Sequence, residues 1–221
     1  LKILNESHPE LMKGKWVVLL EPTNGDIELG CQGALTLKAT YKGTRAHSAR
    51  PWMGENAIHK SAQAINRAEQ ASKSQPKVEV NGLTYPSTLQ LTRVNGGVAS
   101  NVIPDVCEVT INHRYSPLIM PEQALEYVRA NIFEDADEIS VSSNFPGAQP
   151  AFDHPLVSYA QEQKRAIVPK VAWTDVARFY ALGVPALNCG PGHPELCHRA
   201  DEHIEISKLY ELFSDIINNF K

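Results

Sequence analysis

Two places in the sequence combine the residue types that bind transition metals. Glu21 ends the apolar run WVVLLE at residues 16–21. Near the other end, CGPGHPELCHRADEH at residues 189–203 is rich in His, Cys and acidic residues and includes His198. Carboxylate, imidazole and thiolate are the usual zinc ligands. Both places therefore predict metal ligands, although Glu21 could be a loop acid, His198 a surface histidine, and the C-x3-H-x3-C spacing from Cys189 a structural zinc site.

Three polar residues in the middle of the chain lie in loops or at a strand end. His47 lies in TRAHSAR, a loop that presents its side chain to solvent, and Asn101 lies in the loop GGVASNVIPD. Arg114 ends the predicted strand INHRYS, and its planar guanidinium suits a substrate carboxylate. A surface salt bridge for Arg114 and a plain polar loop for the other two are the alternatives.

A third group could bind an anion. In WTDVARF, Thr174 precedes a predicted helix and could be its N-cap residue, while Arg178 follows one turn later on the same face. Together they predict an anion-binding pocket. In GPG at 190–192, Gly192 would let backbone N–H groups approach a ligand closely.

The elements that position these residues form two groups. Residues 34–145 alternate as β-α-β-β-α-β, the pattern of a ferredoxin-like α+β sandwich. One of its helices carries the apolar stripe Ile58, Ala62 and Ile65, which predicts its buried face, and the other opens at Pro121.

Residues 1–33 and 146–221 combine short apolar strands with helices, which predicts one discontinuous α/β domain with the sandwich inserted. The strand at 16–21 is expected to be buried on both faces. A further strand is predicted within KVAW at 170–173, together with a closing helix over 207–220. The expected apolar side of that helix consists of Leu209, Leu212, Phe213, Ile216 and Ile217.

The composition argues against nucleic-acid and membrane partners and indicates a cellular setting. The net charge of −4 argues against a nucleic-acid partner, for which a basic stripe is expected. No apolar run approaches the roughly 20 residues that span a bilayer, so no membrane partner is expected. The four cysteines are scattered, which favours a reducing, cytoplasmic setting.

Taken together, the motifs resemble a known family. EPT after an apolar strand, TRAHSAR, GG…NVIP, a strand-closing Arg, WTDVARF, GPG and CHRADEH follow in this order along almost the whole chain. The ordered set resembles the M20 family of co-catalytic zinc amidohydrolases, and within it the desuccinylases more than the acetylornithine deacetylases or aminoacylases. The resemblance implies a zinc-exopeptidase-like α/β catalytic domain with an inserted lid and dimerisation domain. It also implies two zinc ions per subunit (or cobalt), a small-molecule substrate and a homodimer.

The resemblance further implies a role for each candidate residue. Glu21 matches a terminal ligand of one zinc and His198 a ligand of the other. His47 matches the histidine that enters the active site of the partner subunit and stabilises the oxyanion. The residues that match substrate-carboxylate segments are Asn101, Arg114, Thr174, Arg178 and Gly192.

One departure from the family pattern concerns the segment before EPT. Family members carry there a His-x-Asp pair, a bridging Asp and a Glu-Glu pair that provides the general base and a zinc ligand. This sequence shows none of them, so we expect it to correspond to the C-terminal two-thirds of a family member and to be inactive alone. Another M20 amidohydrolase and a non-enzymatic association module are the alternatives.

Overall fold

The protein, seen in a computed structural model that describes residues 1–219, forms two compact units. The first unit comprises residues 1–32, 79–85 and the described residues from 147 onwards, and the second comprises 33–78 and 86–146. The helices are α1 (Lys2–Ser7), α2 (Ala57–Lys73), α3 (Pro121–Asn131), α4 (Pro155–Glu162), α5 (Val176–Ala181) and α6 (Ile206–Asn219). The strands are β1 (Val17–Leu19), β2 (Ile27–Leu29), β3 (Gly33–Lys42), β4 (Ala46–His47), β5 (Lys77–Val80), β6 (Leu83–Pro86), β7 (Thr88–Gly96), β8 (Val102–Ile103), β9 (Val106–Tyr115), β10 (Glu138–Phe145), β11 (Ile167–Pro169) and β12 (Ala186–Asn188).

The first unit contains a mixed sheet of short strands in the order β1-β12-β2-β11. The outer pairs are parallel and the central β12–β2 pair is antiparallel. The prediction that the opening strand is buried on both faces is wrong. Strand β1 covers only Val17–Leu19, is half-buried, and leads into Leu20, which is 59% exposed. Among the described residues β1 pairs only with β12, so it is an edge strand of this sheet.

The second unit is an antiparallel sheet in the order β10-β3-β9-β7, with α2 and α3 packed on one face. The four strands of this sheet and the two helices follow one another as β-α-β-β-α-β, so the predicted ferredoxin-like class is confirmed. Alternation along β3 buries Leu35, Leu37, Ala39 and Tyr41 against the helices, because successive side chains point to opposite faces.

The buried face of α2 differs from the prediction. Its buried residues are Ala57, Ser61, Ala64 and Ala68, whereas Ile58 and Ala62 are exposed and Ile65 is half-buried. Small side chains allow a helix to approach a sheet closely. The larger apolar residues of α2 are therefore displaced from the core to its flank.

The end of the chain also departs from the predicted pattern. Strand β11 lies at Ile167–Pro169 and not within 170–173. Helix α6 buries Leu212 and Asp215, while Leu209, Phe213 and Ile217 stay exposed and Ile216 is half-buried. Phe220, the end of the predicted closing helix, lies outside the described residues.

Two further observations concern the chain as a whole. Among residues 1–219, no helix has both the length and the apolar character needed to cross a bilayer. The sequence-based division at 33/34 and 145/146 stays a prediction. By packing, residues 79–85 lie in the first unit, where Tyr85 Oη donates to Leu29 O over 2.7 Å.

Candidate metal and substrate site

The loop that follows β1 is bound to the turn that follows β12. Thr23 N–H donates to Gly190 O over 3.3 Å, and Gly190 N–H donates back to Thr23 Oγ1 over 3.1 Å. Asn24 N–H donates to Gly192 O over 2.7 Å. A Cβ at Gly190 would lie 2.1 Å from Glu21 O, so this glycine is required by the contact between the two loops. The substrate-binding role of Gly192 stays a prediction.

Glu21 and His198 both present unused donor atoms in the first unit. Glu21 is exposed, and its carboxylate has no hydrogen bond or ion pair with the described residues. The His198 imidazole likewise has no such partner. The backbone of His198 has φ +66°, which is uncommon for a non-glycine residue, and its N–H donates to Glu202 Oε2 over 3.1 Å. Both side chains are therefore available to a ligand.

The thiols of the C-x3-H-x3-C segment are occupied by backbone carbonyls. Cys189 Sγ contacts Gly25 O at 3.8 Å, and burial raises the pKa of this thiol to about 11, which keeps it protonated. Cys197 Sγ contacts His193 O at 4.0 Å. Among residues 1–219, no three His, Cys, Asp or Glu side chains converge as a metal-binding group. Metal binding by Glu21 and His198 stays a prediction.

The proposed anion-binding segment has a different geometry from the one expected. Helix α5 begins at Val176 with Asp175 as its N-cap residue, so the interpretation of Thr174 as the N-cap is wrong. Thr174 is buried, and its hydroxyl has no hydrogen-bond partner within the described part of the chain. Arg178 Nε donates to Asp175 Oδ1 over 2.6 Å, and its guanidinium lies 5.3 Å from the ring centre of Trp173. Asp175 and Trp173 therefore orient Arg178.

In the second unit, the ribbon of β4 and β8 brings His47 and Asn101 together. His47 pairs with Val102, and Ser48 N–H donates to Asn101 O over 2.9 Å. Ala49 N–H donates to His47 Nδ1 over 3.0 Å. Because Nδ1 accepts this hydrogen bond, the neutral ring carries its hydrogen on Nε2. The exposed His47 side chain thus offers an N–H donor of fixed tautomer.

Arg114 lies on the sheet face opposite the two helices. Its Nε donates to Asn112 Oδ1 over 3.1 Å, and Asn112 Nδ2 donates in turn to Thr36 Oγ1 over 3.0 Å. Neither Asn112 nor Thr36 was predicted from the sequence. The signal for Asn112 was its position two residues before Arg114, since alternate residues of a strand share a face.

Asn188 is a third residue that was not predicted from the sequence. It ends β12 just before the GPG turn and is fully buried, and neither amide atom of its side chain has a partner among residues 1–219. Buried polar groups are nearly always hydrogen-bonded, so an unpaired amide marks a place where a further partner is expected. The available signal was a polar residue closing an apolar strand.

Comparison with solved structures defines the class of fold. A tripeptidase from Staphylococcus aureus superposes with a TM-score of 0.78 at 19% identity, over 98% of this chain and 59% of its own. An M20 family metallo-carboxypeptidase from Sulfolobus solfataricus superposes with a TM-score of 0.73 at 16% identity, over 97% and 64%. The chain thus shares its fold with these two proteins.

The sequence defines the family. The M20 peptidase dimerisation domain matches residues 29–140. The chain therefore belongs to the M20 family.

Curated relatives with higher sequence identity to this chain share one enzyme name. The succinyl-diaminopimelate desuccinylase of Corynebacterium glutamicum is 37% identical over 95% of this chain and 58% of its own length. A Mycobacterium tuberculosis protein assigned provisionally to the same enzyme, DapE, is 43% identical over 91% and 56%. The chain spans little more than half the length of these relatives.

Proposed function

We propose that this chain is part of a di-zinc amidohydrolase that converts N-succinyl-LL-2,6-diaminopimelate into succinate and LL-2,6-diaminopimelate. The observation that carries the proposal is the identity of 37% to the Corynebacterium glutamicum desuccinylase along 95% of the chain. The folds of the solved structures are consistent with a hydrolase. At 16–19% identity they do not identify the substrate.

Glu21 and His198 are the proposed zinc ligands in this chain. An exposed carboxylate in the loop after β1 and an imidazole free of hydrogen bonds fit zinc in donor type, and cobalt accepts the same donors. Bound zinc would supply positive charge that acidifies a water molecule and polarises the amide carbonyl. The strained backbone of His198 supports a functional role, since such conformations cluster at active sites.

His47 is the proposed catalytic donor. The Ala49 N–H holds Nδ1 as an acceptor, so Nε2–H is ready to donate to the oxyanion that forms when the amide carbonyl is attacked. We propose that in the dimer this group acts in the active site of the partner subunit. A preorganised donor of this kind contributes on the order of 3 kcal/mol to transition-state binding.

The remaining candidates are proposed to bind the carboxylates of the substrate. The Asn112–Thr36 pair aligns Arg114, whose other N–H groups have no partner among the described residues. Thr174 offers a hydroxyl without a partner, and Arg178 a guanidinium held by Asp175. Asn101 and Gly192 complete the proposed set.

Homodimerisation through the second unit is part of the proposal. The match to a peptidase dimerisation domain supports it, as does the apolar surface formed by Ile58 on α2 and Val94 on the edge strand β7. Gly96 brings these elements together, because a Cβ there would lie 2.9 Å from Ile58 Cγ1.

The substrate is tested by assaying the protein expressed from its complete reading frame. We expect zinc-dependent release of succinate from N-succinyl-LL-2,6-diaminopimelate, with kcat/KM well above that for N-acetylornithine or a tripeptide. A preference for an acetylated substrate would assign the chain to another M20 amidohydrolase. Absence of hydrolysis of all three with zinc bound would favour a non-enzymatic association module.

The role of His47 is tested in the same assay. His47→Ala removes the Nε2–H donor, and we expect kcat to fall about 100- to 1,000-fold with little change in KM. His8→Ala is the matched control, because His8 is an exposed histidine whose ring lies 3.3 Å from Glu10. A His47→Ala enzyme with kcat within a few-fold of the unsubstituted protein would contradict the role.

A further inference from the structure

A cavity of about 260 Å³ lies between α3 and the sheet of the second unit. Six of the residues lining it are Gln75, Ser87, His113, Ile119, Ala124 and Tyr127. With His113 neutral, none of its lining residues carries a charge, so the cavity suits a neutral occupant. Its volume exceeds the roughly 150 Å³ that is sufficient to bind benzene in a protein core.

His113 gives this cavity a polar group of defined direction. The side chain is only 4% exposed, and Nδ1 lies 2.9 Å from Thr88 O, to which it can only donate. The second nitrogen, Nε2, is therefore an acceptor, and it has no hydrogen-bond partner among the described residues. Burial lowers the pKa of His113, which keeps this lone pair unprotonated at pH 7.

The cavity wall contains a second polar group without a partner. Ser87 is 5% exposed, and its hydroxyl forms no hydrogen bond within residues 1–219. Two aromatic rings lie beside the imidazole, since the His113 ring centre is 5.6 Å from that of Tyr115 and 5.9 Å from that of Tyr127. Arg114, the next residue along β9, points to the opposite face of the sheet.

We infer that this cavity binds a small neutral ring compound with one hydrogen-bond donor, of the phenol or indole class, whose donor is accepted by His113 Nε2. The ring occupies the apolar part of the cavity beside Ile119, Ala124 and Tyr127. The donor completes the hydrogen bonding of an imidazole that the protein leaves half satisfied. The site is additional to the proposed amidohydrolase site and does not depend on zinc.

The test compares phenol with toluene, which replaces the hydroxyl by a methyl group. The 221-residue chain, labelled with ¹⁵N in its histidines, is titrated with each compound at pH 7. We expect phenol to bind saturably, roughly three- to tenfold more tightly than toluene, and to shift the His113 Nε2 resonance. His154, a buried histidine of the first unit, is the internal control and should not shift.

His113→Asn keeps a donor near the position of Nδ1 and removes the Nε2 acceptor, so the preference for phenol should disappear. Equal binding of phenol and toluene by the unsubstituted chain would show an apolar cavity only and overturn the inference. A His113 resonance that phenol leaves unshifted up to millimolar concentration would overturn it as well. Both results come from the unsubstituted chain and do not depend on the variant folding.

Discussion

At the scale of single residues, the neutral imidazole of His154 links α4 to β1 through two hydrogen bonds. Its Nδ1 accepts from Leu156 N–H at the start of α4, and Nε2 donates to Val17 O in β1, each over 3.2 Å. The residue is 1% exposed, and burial lowers its pKa to about 4. A second proton would turn Nδ1 into a donor facing the Leu156 N–H, which adds to the cost of charging a buried ring.

This arrangement predicts a pH-dependent stability. The pKa of His154 rises on unfolding to about 6.5. Its contribution to the free energy of unfolding is therefore complete above that pH and is lost as the pH falls towards 4. We expect about 2 kcal/mol less free energy of unfolding at pH 5 than at pH 7 from this group, measured by urea titration. His154→Asn retains a cap for α4 but no titrating ring, so its pH 5–7 slope should be shallower. An unchanged slope would show that other groups cause the loss.

At the scale of elements, the sequence was most informative where a strand or helix is long and half-buried. The β-α-β-β-α-β pattern of residues 34–145 and the Pro121 start of α3 predicted β3, β7, β9 and α3 correctly. The three-residue strands β1 and β11 have too few residues to show a period, so their limits and burial depend on neighbours. In α2 the hydrophobic stripe was misleading, because close packing on the sheet selected Ala57, Ser61 and Ala64 over Ile58.

The attachment of α6 gives a prediction at this scale. Asp215, buried on α6, accepts from Tyr159 Oη over 2.7 Å and from Arg165. We expect Asp215→Ala to lower the free energy of unfolding by about 2–3 kcal/mol, since it removes charged hydrogen bonds from a buried site. Glu211→Ala is the control: its partner Lys208 lies 3.0 Å away on the exposed side, and such pairs contribute about 0.2–1 kcal/mol. Equal losses in thermal or urea unfolding would show that α6 is not held by Asp215.

At the scale of the whole molecule, the candidate residues are divided between the two units. Glu21, Thr174 and His198 lie in the first, and His47 and Arg114 lie in the second. The sequence identified them through ordered motifs, which report a family pattern. It did not reveal the partners Asn112 and Asp175 or the unpaired Asn188, because the folded backbone decides which of several nearby polar side chains pair and which stay unpaired.

The proposed dimer gives the prediction that concerns the whole assembly. Strand β7 is one edge of the four-stranded sheet and β10 is the other, and each carries an exposed valine, Val94 at 48% and Val141 at 46%. A lysine on an edge strand opposes pairing with a second chain, so Val94→Lys should yield a monomer by sedimentation analysis at concentrations where the unsubstituted protein is dimeric. Val141→Lys places the same charge on the opposite edge and should leave the dimer intact.

Dissociation by Val141→Lys alone would move the interface to β10, while a dimer that survives Val94→Lys would exclude β7 as its centre. Strand β7 and helix α2 belong to the unit that carries His47, which is proposed to act in the active site of the partner subunit. Loss of the dimer should therefore also reduce kcat in the complete protein.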